Sequence, residues 1–203
     1  MSERSSAGVE AISAVRRIYR EIDGFEIPRK DERAVERSRS SATYGELMPT
    51  ATVRLLEQLG LTRRDVFYDL GAGVGKVVLL AALTTPVAHA VGVELASRRV
   101  AAGQLALARA RVQRIPGARR ATLIEGDMLR CPIDDATVVY TCSTAFPEAF
   151  MGRLLRRLTC LPKLRLLASL QDFDEPRGFE LIAAPRLDAS WKRRTRVHIY
   201  ARR

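Results

Sequence analysis

Three carboxylates, three closely spaced glycines and a few aromatic residues are the parts of this sequence able to do chemistry. Asp69 ends an apolar run and is followed by Gly71, Gly73 and Gly75, in Val66-Phe-Tyr-Asp-Leu-Gly-Ala-Gly-Val-Gly-Lys-Val-Val-Leu-Leu80. Glu94 closes the apolar segment Ala88-His-Ala-Val-Gly-Val-Glu94, and Asp127 follows Ala121-Thr-Leu-Ile-Glu125-Gly126. Glycines between a strand and a helix let the backbone turn sharply and approach a ligand, and the next helix offers its unpaired N–H groups there. That is a nucleotide cradle. A dinucleotide fingerprint would need glycine where Lys76 stands, and a P-loop is broken by Leu70 and Val77.

The elements that must position these residues are legible from periodicity. Val66–Asp69, Ala88–Glu94, Ala121–Glu125, Thr137–Thr141 and Leu164–Leu170 read as strands, with helices over Lys76–Leu83, over Ala101–Ile115 and from near Pro147 through Leu161. Such alternation demands a parallel sheet with helices on both faces, where ligands bind outside the carboxyl ends of the strands. Phe179–Ala184 and Arg196–Tyr200 pair as a C-terminal antiparallel hairpin around a turn-like stretch, and His89 and His198 read as ordinary strand residues. Upstream, Val9, Ile12, Val15, Ile18 and Ile22 mark an amphipathic helix stopped by Gly24; residues 29–41 are a charged helix or connector, and Thr50 caps a helix carrying Val53, Leu56 and Leu59. The expected organisation is a helical appendage over 1–42 and a main domain over 43–203.

Composition narrows the class. The chain has 203 residues, 47% of them hydrophobic, enough for one domain with a core. It has no apolar run of about 18 residues, so no membrane role is expected. The mixed-charge start, Met1-Ser-Glu-Arg-Ser-Ser6, is unlike a signal peptide. Cys131, Cys142 and Cys160 lack metal-ligand spacing, so a cytoplasmic protein with reduced thiols and no metal is expected. The net charge of +11 points to an anionic partner, although arginine in an alanine-rich chain is also what a GC-rich genome produces. Residues 1–41 are nearly neutral, whereas Arg186, Lys192, Arg193, Arg194, Arg196, Arg202 and Arg203 face Asp188 alone. The expected nucleic-acid patch is therefore C-terminal.

D-x-G-x-G-x-G resembles motif I of class I S-adenosylmethionine (SAM) methyltransferases, and the fold class that follows is Rossmann-like α/β. In such a site Glu94 takes ribose hydroxyls, Asp127 an adenine amino group with Met128 on the ring, and Asp69 orients the amino-acid end. Tyr44-Gly45-Glu46 ahead of the glycine loop, with Gly92-Val93-Glu94, Gly126-Asp127 and Ser190-Trp191 in order, resembles the disruptor-of-telomeric-silencing family of histone lysine methyltransferases. The resemblance covers roughly residues 43–200. It implies SAM as cofactor, S-adenosylhomocysteine as product, a protein lysine as acceptor and Glu46 in a loop closing over the cofactor. Cofactor contacts then fall to Tyr44, Glu46, Asp69, Gly71, Gly73, Gly75, Glu94, Asp127 and Met128, and the transfer centre to Tyr44, Cys142 and Phe146.

The family's Asn-Asn-Phe-Ala-Phe-like stretch is here Cys142-Ser-Thr-Ala-Phe146. The acceptor therefore stays open between a protein lysine, RNA and a small molecule, with a SAM-binding scaffold as the rival without turnover. Cys142 would be a nucleophile only as a thiolate, and the Asp-Ala-Pro-Cys block of pyrimidine carbon-5 methyltransferases is missing; a half-buried structural cysteine fits better. Trp191 with Lys192-Arg193-Arg194-Thr195-Arg196 is either a lip over the substrate or a solvated turn. The protein substrate would carry an acidic or nucleic-acid-associated surface. The oligomeric state is left open.

Overall fold

The computed structural model describes residues 3–22, 24–173 and 176–203. Its centre is a seven-stranded sheet. Strands β1 (Val66–Leu70), β2 (His89–Glu94), β3 (Ala121–Glu125), β4 (Val138–Thr141) and β5 (Leu166–Ser169) run parallel, while β9 (His198–Arg202) lies antiparallel between β5 and β6 (Phe179–Ala183). The order is β3-β2-β1-β4-β5-β9-β6. The chain steps outward from β1 to β3, then returns to β4 on the other side of β1. This reversal opens a crevice at the carboxyl ends of β1 and β4, beside the glycine loop.

Side chains alternate across the sheet with the period of two that a pleat imposes. Phe67, Val138, Tyr140, Leu166 and Ala168 enter one core; Tyr68, Leu70, Val139 and Leu167 enter the other. The first core is covered by α1 (Glu3–Ile18), α3 (Pro49–Leu59), α4 (Lys76–Thr84) and α5 (Ser97–Val112). The second is covered by α6 (Glu148–Thr159) and by the connection from Met128 to Ala136, which contains no helix. Each buried leucine contributes about 1.5–3 kcal/mol, so Leu55, Leu56, Leu79 and Leu80, all within 1% of full burial, fix α3 and α4 firmly.

Several local expectations need correction. Thr50 does not cap α3: Met48 is the N-cap and Pro49 opens the helix, because the Met48 N–H is committed to Asp188 O at 2.9 Å and proline supplies the helical φ. The helix expected from near Pro147 does begin there, with Pro147 as the extended N-cap of α6 (φ −61°, ψ 148°) and the first turn at Glu148. The charged run after Pro28 is helix α2 (Arg29–Ser38), anchored by buried Asp31 and Val35. The turn-like stretch before β9 holds a small sheet of its own, β7 (Arg186–Leu187) paired with β8 (Thr195–Arg196). Among the described residues no helix is long and apolar enough to cross a membrane.

Candidate functional site

The glycine loop leaves β1 with Gly71, Gly73 and Gly75 all at positive φ (83°, 55° and 81°), a conformation side-chain-bearing residues avoid. Gly71 N–H and Ala72 N–H both donate to Val93 O, tying the loop to the neighbouring strand at 2.9 and 3.1 Å. Glu94, one strand over, holds it from below. Its Oε2 accepts Gly73 N–H and its Oε1 accepts Ala96 N–H, each at 2.9 Å, with Arg99 Nη1 3.9 Å away. Glu94 thus shapes the cradle while lining the cavity above it.

Asp69, at the same level of the sheet, is buried, and its Oδ1 has no hydrogen-bond partner among the described residues. Burial, then the charges of Glu94 and Glu46, push its carboxyl well above the usual range. Three carboxylates thus gather at the cradle, and a cationic ligand placed there would favour the ionised form of Asp69.

A strap crosses the loop. Tyr44 lies against Gly73, where any Cβ would overlap its ring, and its hydroxyl donates to Glu46 Oε1. Glu46 also pairs with Lys76 of α4 at 2.8 Å. The Tyr44 ring is flanked by the Arg99 guanidinium at 4.8 Å and by Phe25, edge-on, at 5.2 Å. The strap is pinned to the C-terminal segment by a bridge between Leu47 and Ala189 and by Ser190 N–H donating to Glu46 O at 2.8 Å. Trp191 then packs on Gly45. Tyr44-Gly45-Glu46 and Ser190-Trp191, far apart in the chain, become one wall.

Two voids share Tyr44, Gly45, Gly71 and Cys142 as a common wall. The larger, about 320 Å³, runs from Glu94, Gly126, Asp127 and Met128 to Cys142, Phe146 and Trp191; the smaller, about 30 Å³, lies by Glu46, Asp69, Gly73 and Lys76. A Cβ on Gly71 would stand 3.3 Å from both Met128 Cε and Phe146 Cζ, so these side chains close directly over the loop. Asp127 Oδ1 accepts Leu129 N–H at 2.8 Å, turning the chain there while the residue still lines the larger void. Gly75, by contrast, lines neither void; it is the left-handed N-cap of α4.

At the far end, the Cys142 thiol donates to Gly45 O at 3.4 Å. Burial, then Asp69, push it up to about 12, so it is a protonated wall group at neutral pH. Phe146 packs on Phe150 at 5.0 Å, and Gln171 donates to its carbonyl and to that of Ser143, holding this loop open toward the void.

Sequence reasoning missed Arg99, Asp31 and Lys76. Arg99 is buried and joins Glu94 to the strap, donating to Gly24 O and Ala42 O at 2.9 and 2.8 Å. Asp31 of α2 accepts from Ser97 Oγ and Arg98 N–H, and so caps α5, whose own N-cap Ala96 has no side chain to do it. The helix expected over Ala101–Ile115 in fact starts at Ser97, so the sequence carried no signal of this cap.

With this geometry in view, a model of the family "Histone methylation protein DOT1" matches residues 27–173. A histone-lysine N-methyltransferase, H3 lysine-79 specific, of Caenorhabditis elegans is 39% identical over 59 residues, 29% of this chain and 6% of that protein. A protein-lysine N-methyltransferase of Saccharolobus islandicus is 36% identical over 86 residues, 42% of this chain and 50% of its own. The chain thus spans at most half the length of these curated relatives. In structure it is similar to an RNA methyltransferase of Salinibacter ruber in complex with S-adenosyl-L-homocysteine (TM-score 0.56, 24% identity, 76% of this chain and 92% of the other). It is also similar to a candidate RNA methyltransferase of Pyrococcus horikoshii (TM-score 0.61, 16% identity, 100% and 97%). These likenesses show the Rossmann-like class I methyltransferase fold.

Proposed function

The chain belongs to the DOT1 histone methylation family, and from that premise we propose that it is a SAM-dependent methyltransferase whose acceptor is the side-chain amine of a protein lysine. The observation that carries the reading is the cradle: a glycine loop admitting no Cβ at Gly73, flanked by Asp69 with an unpartnered buried oxygen, opening on a void of about 320 Å³. The residues present fit the cofactor. Asp69 and Glu46 offer hydrogen-bond acceptors beside its cationic amino-acid end, Glu94 has lone pairs left for ribose hydroxyls, and Asp127 and Met128 line the adenine end.

When bound, SAM supplies an electrophilic methyl group on a sulfonium centre. The chain's own task is to present a neutral amine in line with it, so positioning provides most of the effect. Tyr44, Phe146 and Trp191 form an aromatic mouth in which a lysine loses water, and desolvation lowers its pKa from about 10.4 toward the neutral form. Neither Tyr44 nor Cys142 serves as base, since burial raises both above their usual ranges. The proton leaves to solvent as the amine is desolvated at this mouth. The reading includes a cytoplasmic setting, which three unpaired cysteines support.

The test is transfer of radiolabelled methyl from SAM into fractionated lysate, followed by separate protease and nuclease digestion. Label released by protease and found on lysine is the expected result. Nuclease-sensitive label would replace the acceptor with RNA, and tight SAM binding without any transfer would replace the enzyme with a scaffold.

A further inference from the structure

Beside the cofactor crevice lies a second cleft of about 350 Å³, sharing Ser38 and Asp127 with the first as a common wall. Five guanidinium groups converge on it: Arg37 from α2, Arg130 from the connection after β3, and Arg153, Arg156 and Arg157 from consecutive turns of α6. Only Asp127 opposes them, 3.7 Å from Arg130, and its Oδ1 is already engaged by Leu129 N–H. Among the described residues Arg37, Arg153, Arg156 and Arg157 form no ion pair with a carboxylate. Like charges lining one cleft repel, and an anion bound between them relieves that repulsion.

Two of the five are fixed in place. Arg153 stacks over Phe150 at 5.3 Å and donates one N–H to Ser38 O at 3.1 Å; Arg157 donates to Cys131 O, and its Nε is buried without a partner. Each keeps other N–H groups unused. Arg37, Arg130 and Arg156 are exposed arms around them.

We propose that this cleft binds the phosphodiester backbone of a nucleic acid, seating it beside the methyltransferase crevice. The chemistry favours phosphate. Guanidinium forks bind phosphate oxygens in pairs, and charge alone suffices for backbone binding. A docked peptide would need apolar anchors, and Leu129 is the cleft's one apolar side chain. The cleft is distinct from the C-terminal basic run, where Arg202 is occupied with the carbonyls of Thr159, Leu161 and Leu164 and Arg203 approaches Glu180. A substrate protein that is itself bound to nucleic acid would then arrive with its anchor next to the crevice. The cleft's binding stands whether or not the acceptor is lysine.

The experiment is fluorescence anisotropy of short labelled duplex DNA and single-stranded RNA with the full chain, over salt from about 50 to 200 mM. Arg37→Ala/Arg156→Ala removes two exposed arms, with circular dichroism melts confirming the fold. The expected result is weakening of about tenfold or more at low salt, and a fall of about 2 in the slope of log affinity against log salt. Comparison of the two polymers says whether DNA or RNA is preferred. A Lys192→Ala/Arg193→Ala/Arg194→Ala variant is expected to change binding less. Unchanged affinity and slope in the first variant would overturn the proposal, as would polyglutamate competing as well as nucleic acid at equal charge. Saturable binding of inorganic phosphate without binding of either polymer would assign a small anion and overturn it too.

Discussion

Replacing Glu94 by Gln tests the cradle and the cofactor contact in one substitution. The carboxylate accepts Gly73 N–H and Ala96 N–H at 2.9 Å each, and is buried beside Arg99. An amide retains one acceptor; its NH₂ must then face one of two N–H donors. One hydrogen bond to a charged group is lost and a buried donor is stranded, which costs about 2–3 kcal/mol. In a chain of this size that lowers Tm by about 4–12 °C, read by calorimetry. Affinity for SAM, read by isothermal titration, is expected to fall about ten- to a hundredfold, the value of one charge-assisted contact to a ribose hydroxyl. A folded variant with unchanged affinity would refute the ribose contact. An unchanged Tm would refute Glu94 as the clamp of the glycine loop.

Gly73→Ala at φ 55° strains the backbone by about 1–3 kcal/mol and also displaces Tyr44, whereas Gly60→Ala at φ 56° has open space and bears only the backbone cost. Calorimetry should show Gly73→Ala to be the more destabilising, and equal effects would remove Tyr44 from the cradle. Asp65 is buried but bonded to Thr62, Thr137 and, through both oxygens, Arg165 at 2.8 Å; these partners outweigh burial and hold its carboxyl well below the usual range. A depressed carboxyl stabilises the fold above the ordinary value near 4 and loses that stability as pH falls further. Asp65→Asn should therefore destabilise by about 1–3 kcal/mol at pH 7 and converge with the native chain in acid melts; a constant gap down to low pH would exclude the ion pair. Cys142→Ala should keep methyl transfer within about threefold, because a thiol with a pKa of about 12 offers almost no thiolate at pH 7. Abolished transfer by a folded variant would restore a chemical role for the thiol.

By itself the sequence determined what is local. Strand period, apolar helix faces and the D-x-G-x-G-x-G spacing placed β1 to β5, the closing hairpin and the loop, because these depend on neighbours within a few residues. The helix start at Thr50 was misplaced by two residues, since a cap is chosen by which N–H groups are already committed, and Met48 is committed to Asp188. Tertiary structure alone decided which distant groups meet. Nothing in the spacing says that Arg99 reaches back to Gly24 and Ala42, or that Asp31 caps α5. The same holds for Trp191 closing over Gly45. The charge followed the same rule. Its linear density pointed to the C-terminus, yet folding spends Arg202 on the carbonyls of Thr159 and Leu161 and gathers Arg37, Arg130 and three arginines of α6 around one cleft. Electrostatic potential depends on distance in space, and only the folded chain sets that distance.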